Sequence, residues 1–308
     1  MPNPTVSPIR SGASMLAALL NQRFDADATN RPSAVPPEVR LVSDPVMPWV
    51  TPKVPRVLAD LMREVGRTVD LDAGAYVFPP QTSFGALVLL TDGLGARAFG
   101  SPLNQNATAI ALSIPGRLLG GNHCFWSERP GIGRYVTLTP ARVVFAPRAA
   151  LKARLRAEPE LLELAAAELD LCLQSDRIGF GAIALLSVRM RLLLWALTWG
   201  LVYGELVSEG ESERVQIAPS LPVELLASVV SANVSQVKRD LALLRDAGDW
   251  KRTDSGIDVR AALFDEPWQW LRRSEEHVSL HPRPADWRVL LKTPRRRLEA
   301  ELSGRLAP

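Results

Sequence analysis

The sequence predicts an α+β fold: an antiparallel β-roll, a long helix and a C-terminal winged helix-turn-helix. Short β-type runs broken by turn residues recur about every ten positions between residues 68 and 145, which is typical of a roll or sandwich. Apolar residues then recur at three- and four-residue spacing over residues 149–184, which indicates helices. A two-helix pattern followed by a hairpin pattern occupies residues 221–262.

These patterns divide the chain into five segments. A proline-rich extension comes first, because ten prolines fall within residues 1–56 and proline interrupts helices and central strands. A basic stretch ends the chain. The predicted segments are the N-terminal extension 1–56, the β-roll 57–150, the connecting helices 151–186, the winged helix-turn-helix 187–264 and the C-terminal extension 265–308.

Apolar periodicity predicts the individual elements of the first half. The predicted strands cover residues 68–71, 75–78, 86–91, 107–113 and 135–145, after a helix at 57–65, and two helices follow at 149–157 and 159–184. The second of these helices carries a seam of Leu162, Ala165, Leu169, Cys172, Gly179 and Ile183, broken by Asp176. We interpret the seam as a dimer contact, with a face buried inside one chain as the alternative.

One apolar stretch, residues 179–204, approaches the length of a membrane span. Arg189 and Arg191 lie near its middle, where two charges would be costly in hydrocarbon. Ser187 can begin a new helix by capping it. We therefore predict two buried helices and no membrane partner.

Composition and charge indicate a globular protein. Hydrophobic residues make up 47% of the 308 residues and charged residues 22%. The formal net charge is only +3, so any binding to nucleic acid must be local. Residues 272–308 are more basic, and either a solvated tail or a phosphate-contacting arm fits them.

The reactive residue types are scarce. Two cysteines exclude a disulfide framework and a cluster held by four thiolates, and they suit a reducing compartment. The polar, proline-interrupted residues 1–14 do not form a secretory signal, so we expect a cytoplasmic protein. The three histidines show no metal-ligand spacing and no nucleophile–base pair is visible, so we predict neither a metal site nor an enzyme.

The strongest local pattern is the helix-turn-helix. Residues 222–230 predict a short helix, residues 231–233 a turn, and Asn233 is placed to cap a second helix over 234–246. Ala227 and Val237 have the spacing at which a small residue packs beneath an apolar one. Gly248 is expected to end the second helix, and residues 250–253 and 256–259 to form a wing hairpin.

Over residues 57–264 the sequence resembles the CRP/FNR family of regulators. The resemblance is carried by the glycine turn Leu71-Asp72-Ala73-Gly74, the turn Asp92-Gly93-Leu94, the run LSIPGRLLG at 112–120 and the helix-turn-helix frame with Arg191, Ala227, Val237 and Arg239. It implies a cyclic-nucleotide-binding-like sensor roll, a long dimerisation helix and a homodimer. It also implies binding to double-stranded DNA and contact with RNA polymerase.

The part of the roll that resembles the effector cassette departs from the nucleotide-binding form. Gly121 stands where members that bind cyclic AMP have a glutamate, and Ile132-Gly133 stands where they have an Arg-Ser pair. Cyclic AMP is therefore not predicted, the effector stays unknown, and no cofactor is predicted. The candidate effector residues are Gly120, Gly121, Arg129 and Arg134. His123-Cys124 has the composition of a haem ligand pair, but we favour a buried Cys124 with His123 facing solvent.

The family resemblance also assigns DNA-contacting residues. The first turns of the second helix enter the major groove in this family, which gives Val234, Ser235, Gln236, Lys238 and Arg239 as the residues that face DNA. Lys251 and Arg252 in the wing are candidate phosphate contacts. Residues 214–260 carry a net charge of only +1, so ordinary solvated surface is the competing interpretation. The alternative function is an effector-sensing or protein-interaction module whose helix-turn-helix no longer binds DNA.

Overall fold

The computed structural model describes residues 46–78, 84–101, 104–127, 133–209, 212–275 and 283–292. The described residues belong to one compact unit. Among them, no helix combines the length and the apolar character that crossing a bilayer requires. The fold is α+β, as the sequence predicts.

Two antiparallel sheets form the roll. One sheet has the strand order β1 (Arg67–Leu71), β7 (Ala141–Pro147), β2 (Ala86–Asp92) and β5 (Arg117–Gly120), and the other has the order β4 (Asn104–Ser113), β3 (Gly95–Ser101) and β6 (Arg134–Thr137). Helix α1 (Arg56–Val65) precedes them. An apolar core that includes Phe78, Val88, Leu90, Tyr135 and Val143 fills the roll.

The predicted strands of the roll are confirmed in part. Residues 135–145, predicted as one strand, form β6 and β7 on different sheets, because the chain turns at Pro140 between them. Residues 75–78 were expected to form a strand, and that prediction is wrong: the segment makes only an isolated bridge between Tyr76 and Val136. Strands β3 and β5 were not predicted. Gly95 in β3 explains part of this, because glycine is uncommon in strands and weakens the sequence pattern. Glycine is needed at this position because a side chain there would overlap Leu119.

The helices that follow match the periodicity closely. Helix α2 covers Arg148–Ala157 and α3 covers Pro159–Leu185, with Pro159 in the first turn. Helix α4, Val188–Tyr203, begins where the apolar stretch was expected to divide, and the Ser187 hydroxyl accepts a hydrogen bond from the Met190 N–H at 3.3 Å. Eleven consecutive residues of α4, 191–201, are buried, so it is the central helix of the C-terminal half.

A second sheet-and-helix module packs around α4. Its sheet has the order β10 (Trp250–Arg252), β11 (Ile257–Arg260), β9 (Ser212–Ile217) and β8 (Gly204–Glu209). Its helices are α5 (Val223–Val229), α6 (Val234–Asp246), α7 (Asp265–Glu275) and α8 (Arg288–Lys292). Helix α5 also lies against β4 of the roll. One continuous apolar core therefore joins Leu112 of the roll to Leu226 and Val237 of the second module.

Candidate nucleic-acid interface

The two helices of the helix-turn-helix are held by a shared core. Leu226 and Ala227 of α5 are buried, as are Val237 and Leu244 of α6. Ala227 and Val237, predicted to pack together, are both buried in this core. Helix α6 spans the predicted residues, while α5 is one residue shorter at each end. Asn233 occupies the position before α6, but its side chain makes no capping hydrogen bond.

A buried arginine fixes the turn between the two helices. The Arg191 guanidinium of α4 donates to the carbonyl oxygens of Val230 at 2.6 Å and Ser231 at 3.0 Å. Ser231 has a positive φ of 51°, a conformation that costs energy in a residue with a side chain. The two hydrogen bonds from the charged guanidinium stabilise the turn and so help to offset this cost.

A buried ion pair joins the wing to the end of α6. Arg214 of β9 donates from Nε to Asp258 Oδ1 of β11 at 2.6 Å, and both side chains are largely buried. The same guanidinium donates to the carbonyl oxygen of Gly248 at 3.2 Å. Gly248 has a φ of 71° and follows α6, as expected for the residue that ends it. The predicted wing hairpin is confirmed as β10 and β11.

Most predicted DNA-contacting side chains reach the surface. Ser235, Lys238 and Arg239 are exposed on α6, and Lys251 and Arg252 are exposed on β10. Two of the predicted residues are less available: Gln236 is half-buried, and Val234 packs against the apolar core. Lys238 Nζ lies 3.6 Å from Glu224 Oε1 of α5, and both groups are exposed. The described surface therefore carries cations on the first turns of α6 and on the strand that follows it.

Two of the predicted effector residues, Gly120 and Gly121, lie where neighbouring atoms leave no room for a side chain. Gly121 has a φ of 84°, and a side chain there would lie 2.1 Å from the Ala86 carbonyl oxygen. A side chain at Gly120 would meet the rings of Phe78 and Tyr135. The two glycines thus permit close packing. Arg134 is exposed on β6, and Arg129 lies outside the described residues.

The interior between the roll and α3 holds a polar cluster instead. The Arg97 guanidinium of β3 donates to Asp176 Oδ1 of α3, and Asp176 Oδ2 lies 3.3 Å from His123 Nε2. The expectation that His123 faces solvent is therefore wrong. Burial and the charge of Arg97 lower the pKa of His123 to about 3, so the ring is neutral at pH 7. Burial also raises the pKa of Asp176.

Glu168 is a second buried acid on α3. Its Oε1 lies 4.0 Å from Cys172 Sγ, and its Oε2 has no hydrogen-bond partner among the described residues. Burial raises the pKa of Glu168 to about 8, against a smaller opposing effect of Arg117. Glu168 is therefore mostly protonated in the folded chain at neutral pH.

This raised pKa predicts a pH-dependent stability. Between pH 4.5 and pH 8 the unfolded chain loses the Glu168 proton while the folded chain keeps it, so the free energy of unfolding falls as pH rises. A Glu168→Gln variant should lose this dependence, because its side chain carries no titrating proton. Its free energy of unfolding minus that of the wild type should therefore be larger at pH 8 than at pH 5 by on the order of 2–4 kcal/mol. Urea unfolding at both pH values measures the difference. Glu163→Gln, an exposed change on the same helix, is the control, and equal pH slopes in all three proteins would contradict the burial of an acid at Glu168.

The interpretation of the predicted seam of α3 as a dimer contact is wrong for four of its six residues, Ala165, Cys172, Gly179 and Ile183, which lie against the chain's own core. Ala165, Cys172 and Gly179 are buried within the chain, and a side chain at Gly179 would lie 3.4 Å from the Trp49 ring. Asp176 interrupts the seam because it pairs with Arg97 of the roll. Large apolar side chains that were not part of the predicted seam are exposed elsewhere on α3: Leu173 is 41% exposed, Phe180 49% and Leu185 75%.

Comparison with known proteins gives the same fold. A scan against protein-family models and a search of curated proteins give no match. A CRP/FNR-family transcriptional regulator from Thermus thermophilus has a TM-score of 0.50 and 17% identity, over 67% of this chain and 98% of that one. FixK2 from Bradyrhizobium japonicum has a TM-score of 0.54 and 10% identity, over 67% of this chain and 96% of that one. The c-di-GMP responsive global regulator CLP of Xanthomonas campestris has a TM-score of 0.52 and 15% identity, over 67% of this chain and 99% of that one.

These similarities span nearly the full length of each solved neighbour and about two thirds of this chain. The sequence resemblance predicted this architecture from glycine turns and a helix-turn-helix frame alone. The chain has the fold of the CRP/FNR-type transcription regulators.

Proposed function

We propose that this chain is a sequence-specific DNA-binding transcription regulator that acts as a homodimer. The observation that carries the proposal is the exposure of Ser235, Lys238 and Arg239 on the first turns of α6, with Lys251 and Arg252 exposed on the adjoining wing strand. A helix N-terminus that presents polar and cationic side chains beside a cationic hairpin fits the major groove and its flanking phosphates. Such a regulator works in the cytoplasm. Contact with RNA polymerase stays a prediction of the family resemblance.

The exposed residues differ in the contacts they can make. Arg239 has the fork geometry that pairs with guanine O6 and N7, and Gln236 can pair with adenine if its half-buried side chain extends. Lys251 and Arg252 lie on the wing, so we assign them to phosphates. Val234 packs on the core, so we assign it a structural role.

The exposed face of α3 supports the dimer. Leu162, Ala166, Leu169, Leu173, Phe180 and Ala184 follow one another at spacings of three, four or seven residues. This spacing is typical of two helices packed side by side, and the large exposed side chains Leu173 and Phe180 lie at its centre. We therefore propose that a second copy of the chain covers this face.

The internal polar cluster of Arg97, His123 and Asp176 concerns the chemical identity of the effector. His123, Asp176 and Arg97 already pair with one another between the roll and α3, and Gly121 replaces the glutamate expected for cyclic AMP. These residues support an effector other than cyclic AMP.

Selection from a pool of random duplexes tests DNA binding directly. The purified protein is incubated with the pool, bound duplexes are amplified, and the cycle is repeated. We expect one recurring sequence to be enriched, because base contacts from α6 discriminate by about 1–3 kcal/mol each. Retention of duplexes without any enriched sequence, or no retention, would favour the protein-interaction module instead.

A further inference from the structure

An N-terminal strap, residues 46–54, lies along the roll and makes one isolated β-bridge to β4, between Val50 and Leu112, and one to β5, between Lys53 and Arg117. The Trp49 carbonyl oxygen accepts from the Leu112 N–H at 2.7 Å, and the Thr51 N–H donates to the Leu112 carbonyl oxygen at 3.0 Å. Further along, the Val54 N–H donates to the Gly116 carbonyl oxygen at 2.9 Å. The side chains of Met47, Trp49 and Val50 are buried in the core that joins the two modules. The strap is therefore part of the folded unit.

The strap is held from two other directions. The Ser175 hydroxyl of α3 donates to the Met47 carbonyl oxygen at 2.7 Å. The Arg283 guanidinium donates to the Val46 carbonyl oxygen, and its Nη1 lies 3.4 Å from Met47 Sδ. Arg283 is only 6% exposed. Because Arg283 lies beyond the winged helix-turn-helix in the chain, it connects the start of the described chain to its C-terminal part.

A C-terminal brace, residues 265–275 and 283–292, anchors Arg283 to the winged helix-turn-helix. The Arg283 guanidinium lies over the Trp268 ring at 5.6 Å, and the Trp268 Nε1–H donates to the Pro284 carbonyl oxygen at 3.0 Å. The Trp287 Nε1–H donates to Asp265 Oδ1 at 2.8 Å. Arg288 donates to Glu213 Oε2 of β9 at 2.8 Å. Helix α7 of the brace packs on α4, and the buried Trp268 and Trp287 are in the same core.

We propose that the strap and the brace form a clamp that joins the roll and the winged helix-turn-helix into one cooperative unit. Arg283 is the residue where the two meet. The clamp leaves Ser235, Lys238 and Arg239 exposed, so it does not cover the DNA-facing side of α6. Its consequence is a fixed angle between α6 and α3. In a dimer paired through α3, that angle sets the distance between the two copies of α6.

The clamp itself is tested without DNA. In an Arg283→Ala variant, the amides of Thr51 and Val54 should exchange hydrogen at least about tenfold faster, because the strap opens locally. Thermal unfolding should change from one transition to two. Arg272→Ala removes an exposed arginine of α7 and should match the wild type in both measurements. Unchanged exchange and a single transition in Arg283→Ala would overturn the clamp.

A second variant covers the case in which Arg283→Ala folds poorly. Ser175→Ala removes the hydrogen bond that holds the strap from α3, and it leaves the brace untouched. It should speed the exchange of the Thr51 amide in the same direction. Exchange at the wild-type rate in this variant would also count against the clamp.

The consequence for DNA binding rests on the proposed function. Arg283→Ala should weaken binding to a duplex with two half-sites by roughly tenfold and leave binding to a single half-site within about twofold, because only the paired arrangement needs a fixed angle. If the wild-type chain binds no duplex, the proposed function fails while the exchange measurements still decide the clamp. Equal weakening on both duplexes would assign Arg283 a general structural role and overturn the fixed angle.

Discussion

A Leu173→Glu variant is expected to sediment as a monomer at concentrations where the wild-type chain is a dimer. Leu173 is 41% exposed on the α3 face that we assign to the partner copy, so the monomer tolerates the change. In the dimer, the two-fold symmetry would bring two buried carboxylates together at the interface. We expect the dissociation constant to rise by more than about 100-fold, which is roughly 3 kcal/mol.

Val57→Glu is the matched control for this change. Val57 lies on α1 and is 51% exposed, so the control adds the same charge at an exposed apolar residue of a different helix. Sedimentation equilibrium of the three proteins gives the comparison. A wild-type chain that is monomeric, or a Leu173→Glu chain that stays dimeric, would contradict the assignment of α3 to the dimer contact.

Replacing Arg239 should produce the largest loss of DNA affinity among single changes on α6. Arg239 is exposed within the second turn of the helix, where a guanidinium can reach base edges. Arg239→Ala should weaken binding to the selected duplex by about 1–3 kcal/mol, or roughly five- to 150-fold, and relax the base preference at one position.

The control for Arg239 comes from the same helix. Arg245 is exposed in the last turn of α6, so Arg245→Ala removes the same charge away from the leading turns. Fluorescence anisotropy with the selected duplex compares the two variants, and far-ultraviolet circular dichroism checks that both are folded. Equal losses of affinity in both variants would show that the duplex responds only to the charge of the helix. A loss of affinity confined to Arg245→Ala would place the DNA at the C-terminal end of α6 and contradict the assignment.

The sequence predicts best where local signals and tertiary packing agree. Helix α6 has the predicted bounds because an apolar period, a turn before it and Gly248 after it all indicate the same residues. The division between α3 and α4 was equally predictable, since Ser187 is a good cap and two arginines break the apolar run. Periodicity and capping suffice for elements of this kind.

Contacts between distant segments account for what the sequence did not predict. In the sequence, Asp176 interrupts the apolar seam of α3 without an evident reason. The structure supplies the reason, because Arg97 of β3 lies opposite Asp176 and pairs with it. The hairpin of β8 and β9 follows the apolar helix α4 directly. The ion pair that joins β9 to β11, between Arg214 and Asp258, links residues 44 positions apart in the sequence. Residues 46–54 belong to the predicted proline-rich extension, yet they make one bridge to β4 and one to β5, which the local sequence does not indicate.

The arrangement of half-sites in the selected duplexes tests the central claim most directly. A homodimer that presents two copies of α6 should enrich an inverted repeat whose half-site centres lie about one helical turn apart, roughly 10–10.5 base pairs, or a multiple of that spacing. An enriched sequence with a single half-site, or a pool that stays random after repeated cycles, would contradict paired reading of the major groove by α6.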